Sequence, residues 1–134
     1  MPDSTCDSPT ELEPYSAEQN VFRAVIYKDW VKPDGKTVTH QAFLRLRKDL
    51  TGLSISPTPE DCQRGLQFPT FGEIILNVGK IRMIQKSNQE YLDAVPDSPT
   101  HGNIKELPFR DVDRAEAIKL AKDLSDISTR FHPE

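Results

Sequence analysis

The chain has no long apolar run. Stretches such as Ile74-Ile75-Leu76 fall far short of the roughly 18 residues a membrane-spanning helix needs, so no membrane segment is expected. Cysteine is scarce, with only Cys6 and Cys62, which excludes a disulfide framework. The opening Met1-Pro2-Asp3-Ser4 lacks the basic and apolar blocks of a signal peptide. A reducing cytosol is therefore the expected location. Histidine occurs only at positions 40, 101 and 132, too few for a histidine-built metal centre. Also missing are a glycine-rich phosphate loop, a nucleophile elbow, an HExxH helix and a paired CxxC. Neither a metal nor a cofactor is expected, and the reading leans away from an enzyme.

What is present is enough for one ordinary core. Leu, Ile, Val and Phe supply 33 of the 134 residues, above the level at which disorder becomes the default. The length suits a single domain. Charge is unevenly spread. Residues 1–20 carry five acids and no base, so the remaining chain holds 17 bases against 16 acids. With three prolines and one aromatic, Tyr15, residues 1–20 read as a disordered acidic tail and 21–134 as one α+β domain. Residues 21–48 hold seven bases and two acids, a local excess that bears on partners.

Alternation from Val21 to Tyr27 predicts a strand. Pro33-Asp34-Gly35 is turn chemistry, and Thr37–Arg47, with Ala42, Leu44 and Leu46 on one face, reads as its hairpin partner. Leu53–Ser56 makes a short strand whose edge is open to pairing with another chain. Thr58 and Pro59 start a short helix that Gly65 ends. Glu73–Val78 is apolar enough for the middle of a sheet. Residues 80–84 fit either a strand or a helical turn. Tyr91–Val95 is the last strand, and 96–103 a loop of turn formers. Asp111 or Asp113 then caps a helix to about Arg130, with Ala117, Leu120, Ala121, Leu124, Ile127 and Phe131 as its stripe. The expected fold is a mainly antiparallel sheet of four to five strands, with the C-terminal helix on one face.

Several residues qualify for chemistry, each with a plainer role beside it. His101-Gly102-Asn103 could bind a polar ligand or move a proton, or simply suit a turn. Arg23, alone in an apolar strand, could grip a phosphate or sit on the outer face. Cys62 near a helix start could be activated or be a small buried residue. Trp30, Phe43, Arg45 and Arg47 could form a basic, aromatic surface for single-stranded nucleic acid or for a protein, or guard a sheet edge.

The run Trp30, Asp34-Gly35, Gln41-Ala42-Phe43-Leu44 and Gly52-Leu53-Ser54-Ile55, followed by Val78-Gly79-Lys80-Ile81-Arg82 and His101-Gly102-Asn103-Ile104, resembles a group of small bacterial proteins, some of them cyanobacterial, with no assigned activity. The resemblance spans about residues 21–130. It implies a single domain from a bacterial cytosol and brings no catalytic residues. The expectation is a non-catalytic module that binds another bacterial protein through Trp30, Phe43, Arg45, Arg47, His101 and Asn103. The alternatives are a small nucleotide- or nucleic-acid-directed enzyme, similar to an ADP-ribosyltransferase and using Arg23, His101 and Asn103, or a nucleic-acid-binding domain.

Overall fold

The computed structural model describes residues 13–46, 52–63 and 70–131. Arg47, Cys6, Gly65, His132 and residues 1–12 of the expected tail lie outside them. The elements run β1 (Asn20–Ala24), β2 (Leu53–Ile55), α1 (Pro59–Gln63), β3 (Glu73–Asn77), α2 (Val78–Ile81), β4 (Asp93–Ser98), β5 (His101–Lys105), α3 (Arg114–Ile127) and β6 (Thr129–Phe131). Single 3-10 turns at Lys28–Trp30 and His40–Phe43 punctuate the segment after β1. Among the described residues no helix is long and apolar enough to cross a membrane.

The α+β, antiparallel character holds, but one sheet of four to five strands is not what forms. There are two three-stranded antiparallel sheets, ordered β1-β3-β6 and β2-β5-β4. Their junction is one antiparallel pair, Phe22 with Ser56, with amide-to-carbonyl distances of 2.8 and 2.7 Å. No strand forms over residues 37–46, the described part of the strand expected at 37–47. β1 pairs instead with β3, where Val21 faces Leu76 and Arg23 faces Ile74. After the Pro33-Asp34-Gly35 turn only Val31 and Val38 pair, and the chain then coils inward. Ala42 and Phe43, successive residues of the 3-10 turn, are both fully buried.

Local chemistry explains the elements that were legible. Asp34 Oδ1 accepts from the amides of Lys36 and Thr37 at 2.9 and 3.0 Å, and Gly35 takes φ +73°. The Thr58 hydroxyl accepts from the Asp61 amide at 3.1 Å and donates to the Asp61 carboxylate at 2.9 Å, a reciprocal cap for α1. β3 is the central strand, as its apolar run demands. Residues 78–81 resolve as a helical turn, with Asn77 accepting from the Lys80 amide at 3.0 Å. The strand expected at Tyr91–Val95 runs from Asp93 to Ser98 and is not the last, since β5 and β6 follow it; residues 96–103 are mostly paired, with β4 and β5 forming a hairpin that turns at Pro99-Thr100. Pro96 is tolerated because β4 is an edge strand with a bulge between Pro96 and Ser98.

α3 begins at Asp113, whose side chain accepts from the Glu116 amide. It buries Ala117, Leu120, Ala121 and Leu124. Ile127 is half-buried. Phe131 and Arg130 are not on the helix, because Ser128 leaves it in extended conformation and β6 follows. Residues 13–20, expected in the tail, belong to the fold. Tyr15 is 8% exposed, the Gly79 amide donates to Ala17 O and the Val78 amide to Gln19 O, and Asn20 opens β1.

The strand edges are closed within the chain. Ser56 of the β2 segment is held by Phe22, and Ser54 O accepts from Arg23 Nη1 at 2.9 Å, so residues 53–56 are not a free edge. Both backbone groups of Ala94 on β4 meet side chains, Asp93 and Arg82. The Arg130 amide of β6 donates to Lys36 O. Edges so covered do not template intermolecular pairing.

Candidate functional site

The segment from Tyr27 to Leu46 is held at many points. Trp30 O accepts from the Thr39 amide at 2.7 Å and Thr37 O from the Lys32 amide at 2.9 Å. Arg130 Nη1 donates to Gly35 O at 2.6 Å. Ser125 of α3 donates to Val38 O at 2.6 Å, and the Arg110 amide donates to Arg45 O at 2.8 Å. A segment so fastened stands as a wall beside α3.

Between that wall and α3 runs a trough. Its first half has a volume of about 360 Å³ and is lined by Tyr27, Trp30, His40, Gln41, Leu44, Leu46, Arg110, Arg114 and Ile118. Its second half, about 640 Å³, is lined by Asp29, Lys32, Thr39, His40, Gln41, Lys122, Ser125 and Asp126. The two halves adjoin at His40 and Gln41, which line both. From α3 the lining includes Arg114, Ile118, Lys122 and Asp126, each four positions after the last and so stacked on one helical face. The first half gathers the apolar side chains Tyr27, Trp30, Leu44, Leu46 and Ile118 beside Arg110 and Arg114, while the side chains lining the second are polar and mixed in charge. Arg110 Nε pairs with Asp111 at 3.3 Å. Arg114 is exposed and makes no ion pair with any described residue.

The residues singled out from sequence are distributed rather than gathered. Trp30 is in the trough but only 9% exposed. The edge of Tyr27 meets it at 5.3 Å between centroids, and the Arg23 guanidinium lies over its ring at 5.7 Å. Phe43 is fully buried and is a core residue, so it offers no binding surface. Arg45 lies over the Phe109 ring at 4.0 Å and donates to Leu107 O at 2.7 Å. It is a clasp between the wall and the segment before α3. Arg47 lies outside the described residues. The basic, aromatic strand face expected from 43, 45 and 47 is thus not assembled at Phe43 and Arg45, because those residues are not on a strand ladder.

Arg23 is neither an idle outer-face charge nor an open phosphate grip. Its Nε donates to Ala42 O at 2.8 Å and its Nη1 to Ser54 O, so it staples the 3-10 turn at 40–43 to β2. His101 and Asn103 do meet, through Asp97. His101 Nδ1 lies 2.8 and 2.9 Å from the two Asp97 oxygens, and Asn103 Nδ2 donates to Asp97 Oδ2 at 2.9 Å. Asn103 is 2% exposed, and the trio braces the hairpin where it bulges. Facing a carboxylate, which can only accept, the Nδ1 position is the donor of this contact. Arg23 and His101 have separate partners, and neither lines the trough.

Cys62 is not activated. Burial pushes its thiol up to about 12, and the hydrogen bond with Ser56 offsets only part of that. α1 has too few turns for its dipole to prevail. Among the described residues no three His, Cys, Asp or Glu side chains converge to hold a metal ion.

The trough residues that sequence reasoning missed are Arg110, Arg114, Ile118 and, as lining groups, Lys122 and Asp126. A signal existed in the four-residue spacing of 114, 118, 122 and 126 on a helix whose buried stripe already accounts for other positions. Compared with protein-family models, curated proteins and solved structures, the chain matches none.

Proposed function

We propose that this chain is a non-catalytic protein-binding module of the bacterial cytosol, and that a partner docks in the trough between α3 and residues 27–46. The observation that carries this is the trough itself: an apolar recess beside Tyr27, Leu44 and Ile118, rimmed by Arg110 and Arg114, in a wall fixed by hydrogen bonds before any partner arrives. Preformed walls reduce the ordering cost of association. An exposed tyrosine and arginines are the side chains on which binding energy tends to concentrate. Tyr27 is 53% exposed, and it is the aromatic that a partner reaches. The enzyme reading has less support, since it needs Arg23 available to a phosphate while Arg23 is engaged on Ala42 and Ser54.

The test is capture from a native bacterial lysate with four forms of the protein: unaltered, Tyr27→Ala, Ile118→Glu and Met83→Glu. Met83 is exposed and lies outside the trough. The reading expects one stoichiometric protein retained by the unaltered and Met83→Glu forms and lost from the two trough variants. Equal retention by all four overturns it, provided circular dichroism shows the variants folded.

A further inference from the structure

We infer, resting on the docking reading above, that the occupant is an extended acidic peptide segment with one large apolar side chain, which enters the recess at Tyr27, Leu44 and Ile118. Three features lead there. The first is length. Arg114 to Asp126 spans about 18 Å of helix at 1.5 Å per residue, which five or six residues of extended chain would cover at about 3.3 Å each. A trough of that length and of this open, two-walled shape suits a single chain better than a rounded small molecule. The second is the apolar end. Tyr27, Leu44, Leu46 and Ile118 form an unpolar lining around about 360 Å³, room for one bulky side chain.

The third feature is charge. Lys32, Arg110, Arg114 and Lys122 line the trough against Asp29 and Asp126. The two carboxylates sit in the half that holds both lysines, so that half is balanced. The uncompensated charge lies at the apolar end, where Arg114 makes no ion pair with any described residue. The preferred acids of the peptide therefore flank its apolar anchor, where an arginine fork can take a carboxylate from two nitrogens.

Single-stranded nucleic acid fits less well. Stacking needs open ring faces, and Trp30 has Arg23 over its ring and Tyr27 at its side. Phe43 is buried and Phe109 lies under Arg45. Asp29 and Asp126, exposed residues lining the second half, would also oppose a phosphate chain, which carries charge along its whole length rather than only beside the apolar anchor.

Trp30 is the single tryptophan of the chain, so its emission reports on the trough directly. The experiment titrates the full chain with a synthetic capped peptide, Ser-Glu-Asp-Phe-Asp-Glu-Ser, following Trp30 fluorescence and, independently, calorimetry. Three probes run beside it: the same peptide with Phe replaced by Ala, the same peptide with every acid replaced by its amide, and an oligouridylate. Saturable binding of the acidic Phe peptide is expected, weakened at least about tenfold by either replacement. Arg114→Ala should weaken it about three- to tenfold, with most of the loss disappearing at high salt, where exposed charges are screened. Ile118→Glu should abolish it, and Tyr27→Ala should weaken it even if Ile118→Glu proves unstable. If the amide peptide binds as well as the acidic one, the acidic character is wrong, while docking in the trough stands. No peptide binding, alongside lysate capture that still depends on Tyr27 and Ile118, rejects this occupant alone. Binding that ignores the Arg114, Tyr27 and Ile118 changes places the site elsewhere and sinks the inference. Oligouridylate binding lost on Tyr27→Ala and Arg114→Ala overturns both this occupant and the protein-binding reading.

Discussion

Ser125 of α3 donates its hydroxyl to the carbonyl oxygen of Val38, a residue 87 positions earlier in the chain, at 2.6 Å. Both residues are buried, so neither group has water as a substitute. Ser125→Ala leaves the Val38 carbonyl without that donor. The expected loss is about 1–3 kcal/mol of unfolding free energy, read from the urea midpoint at constant slope. An unchanged midpoint would show that the bond contributes nothing net.

Gly102 and Tyr15 give a second prediction. A Cβ at Gly102 would lie 2.6 Å from Val95 O and would collide with the Tyr15 hydroxyl. Gly102→Ala should therefore destabilise by about 1–3 kcal/mol, the range for forced overpacking. The Tyr15 hydroxyl is buried and has no hydrogen-bond partner among the described residues, so Tyr15→Phe should be neutral or stabilising, because it removes a desolvated polar group. Thermal denaturation of both variants is the check. A clear loss of stability in Tyr15→Phe contradicts the account.

Tyr15 also sets an alkaline limit. Burial first, and the Asp97 carboxylate second, raise its phenol above the ordinary value of 10.0. A group that holds its proton more tightly when folded contributes stability below its unfolded pKa and loses it as pH rises through the folded one. Stability should therefore fall from about pH 10 upward. That fall should be shallower in Tyr15→Phe, as measured by urea titrations across the alkaline range.

At the acid end Glu116 contributes, as does Asp34, whose carboxylate is held down by the Lys36 and Thr37 amides. Glu116 accepts from the Ser87 hydroxyl and from the Ser87 amide, the latter at 2.8 Å, and these bonds lower its pKa. A depressed carboxylate contributes stability above its unfolded value of about 4.3 and loses it as pH falls through the folded value. Glu116→Gln should leave a smaller loss between pH 5 and pH 3 than the unaltered chain shows. Parallel acid limbs in the two proteins would remove Glu116 from the explanation.

Cys62 should resist alkylation. With its thiol near 12 instead of 9.0, the thiolate fraction at neutral pH is about a thousandfold below that of an ordinary cysteine, and the thiolate is the reactive form. In a Cys6→Ser background, iodoacetamide should modify the folded protein far more slowly than the same chain in denaturant. Equal rates would show an accessible, ordinary thiol.

The legible parts of the fold were those whose physics is local. The Thr58-Pro59 cap, the Pro33-Asp34-Gly35 turn, the apolar β3 and the α3 stripe all rest on neighbours within a few residues. Strand partnership does not. Asn20–Ala24 pairs with Glu73–Asn77, about fifty positions on, and nothing in the sequence of residues 37–46 shows that their apolar spacing serves an inward coil. Pro96 illustrates the converse: its turn-forming character is real, yet an edge position with a bulge absorbs it into β4. For the site, His101 and Asn103 were found together, with Asp97 the joining group. Neither reading of Arg23, phosphate grip or outer-face charge, foresees its backbone acceptors on Ala42 and Ser54, because they come from distant segments. The trough went unseen because its walls come from distant parts of the chain, and only the α3 wall carries a spacing that a sequence displays.

The distance in chain between those walls has a consequence for biosynthesis. Residues 27–46 leave the ribosome long before Arg114–Asp126, and Val38 cannot be fastened until Ser125 has been made. The trough is therefore absent from every truncated or unfinished product that lacks α3. A partner that recognised it would read, in the same act, that translation had passed α3, so fragments released earlier would neither compete for that partner nor sequester it.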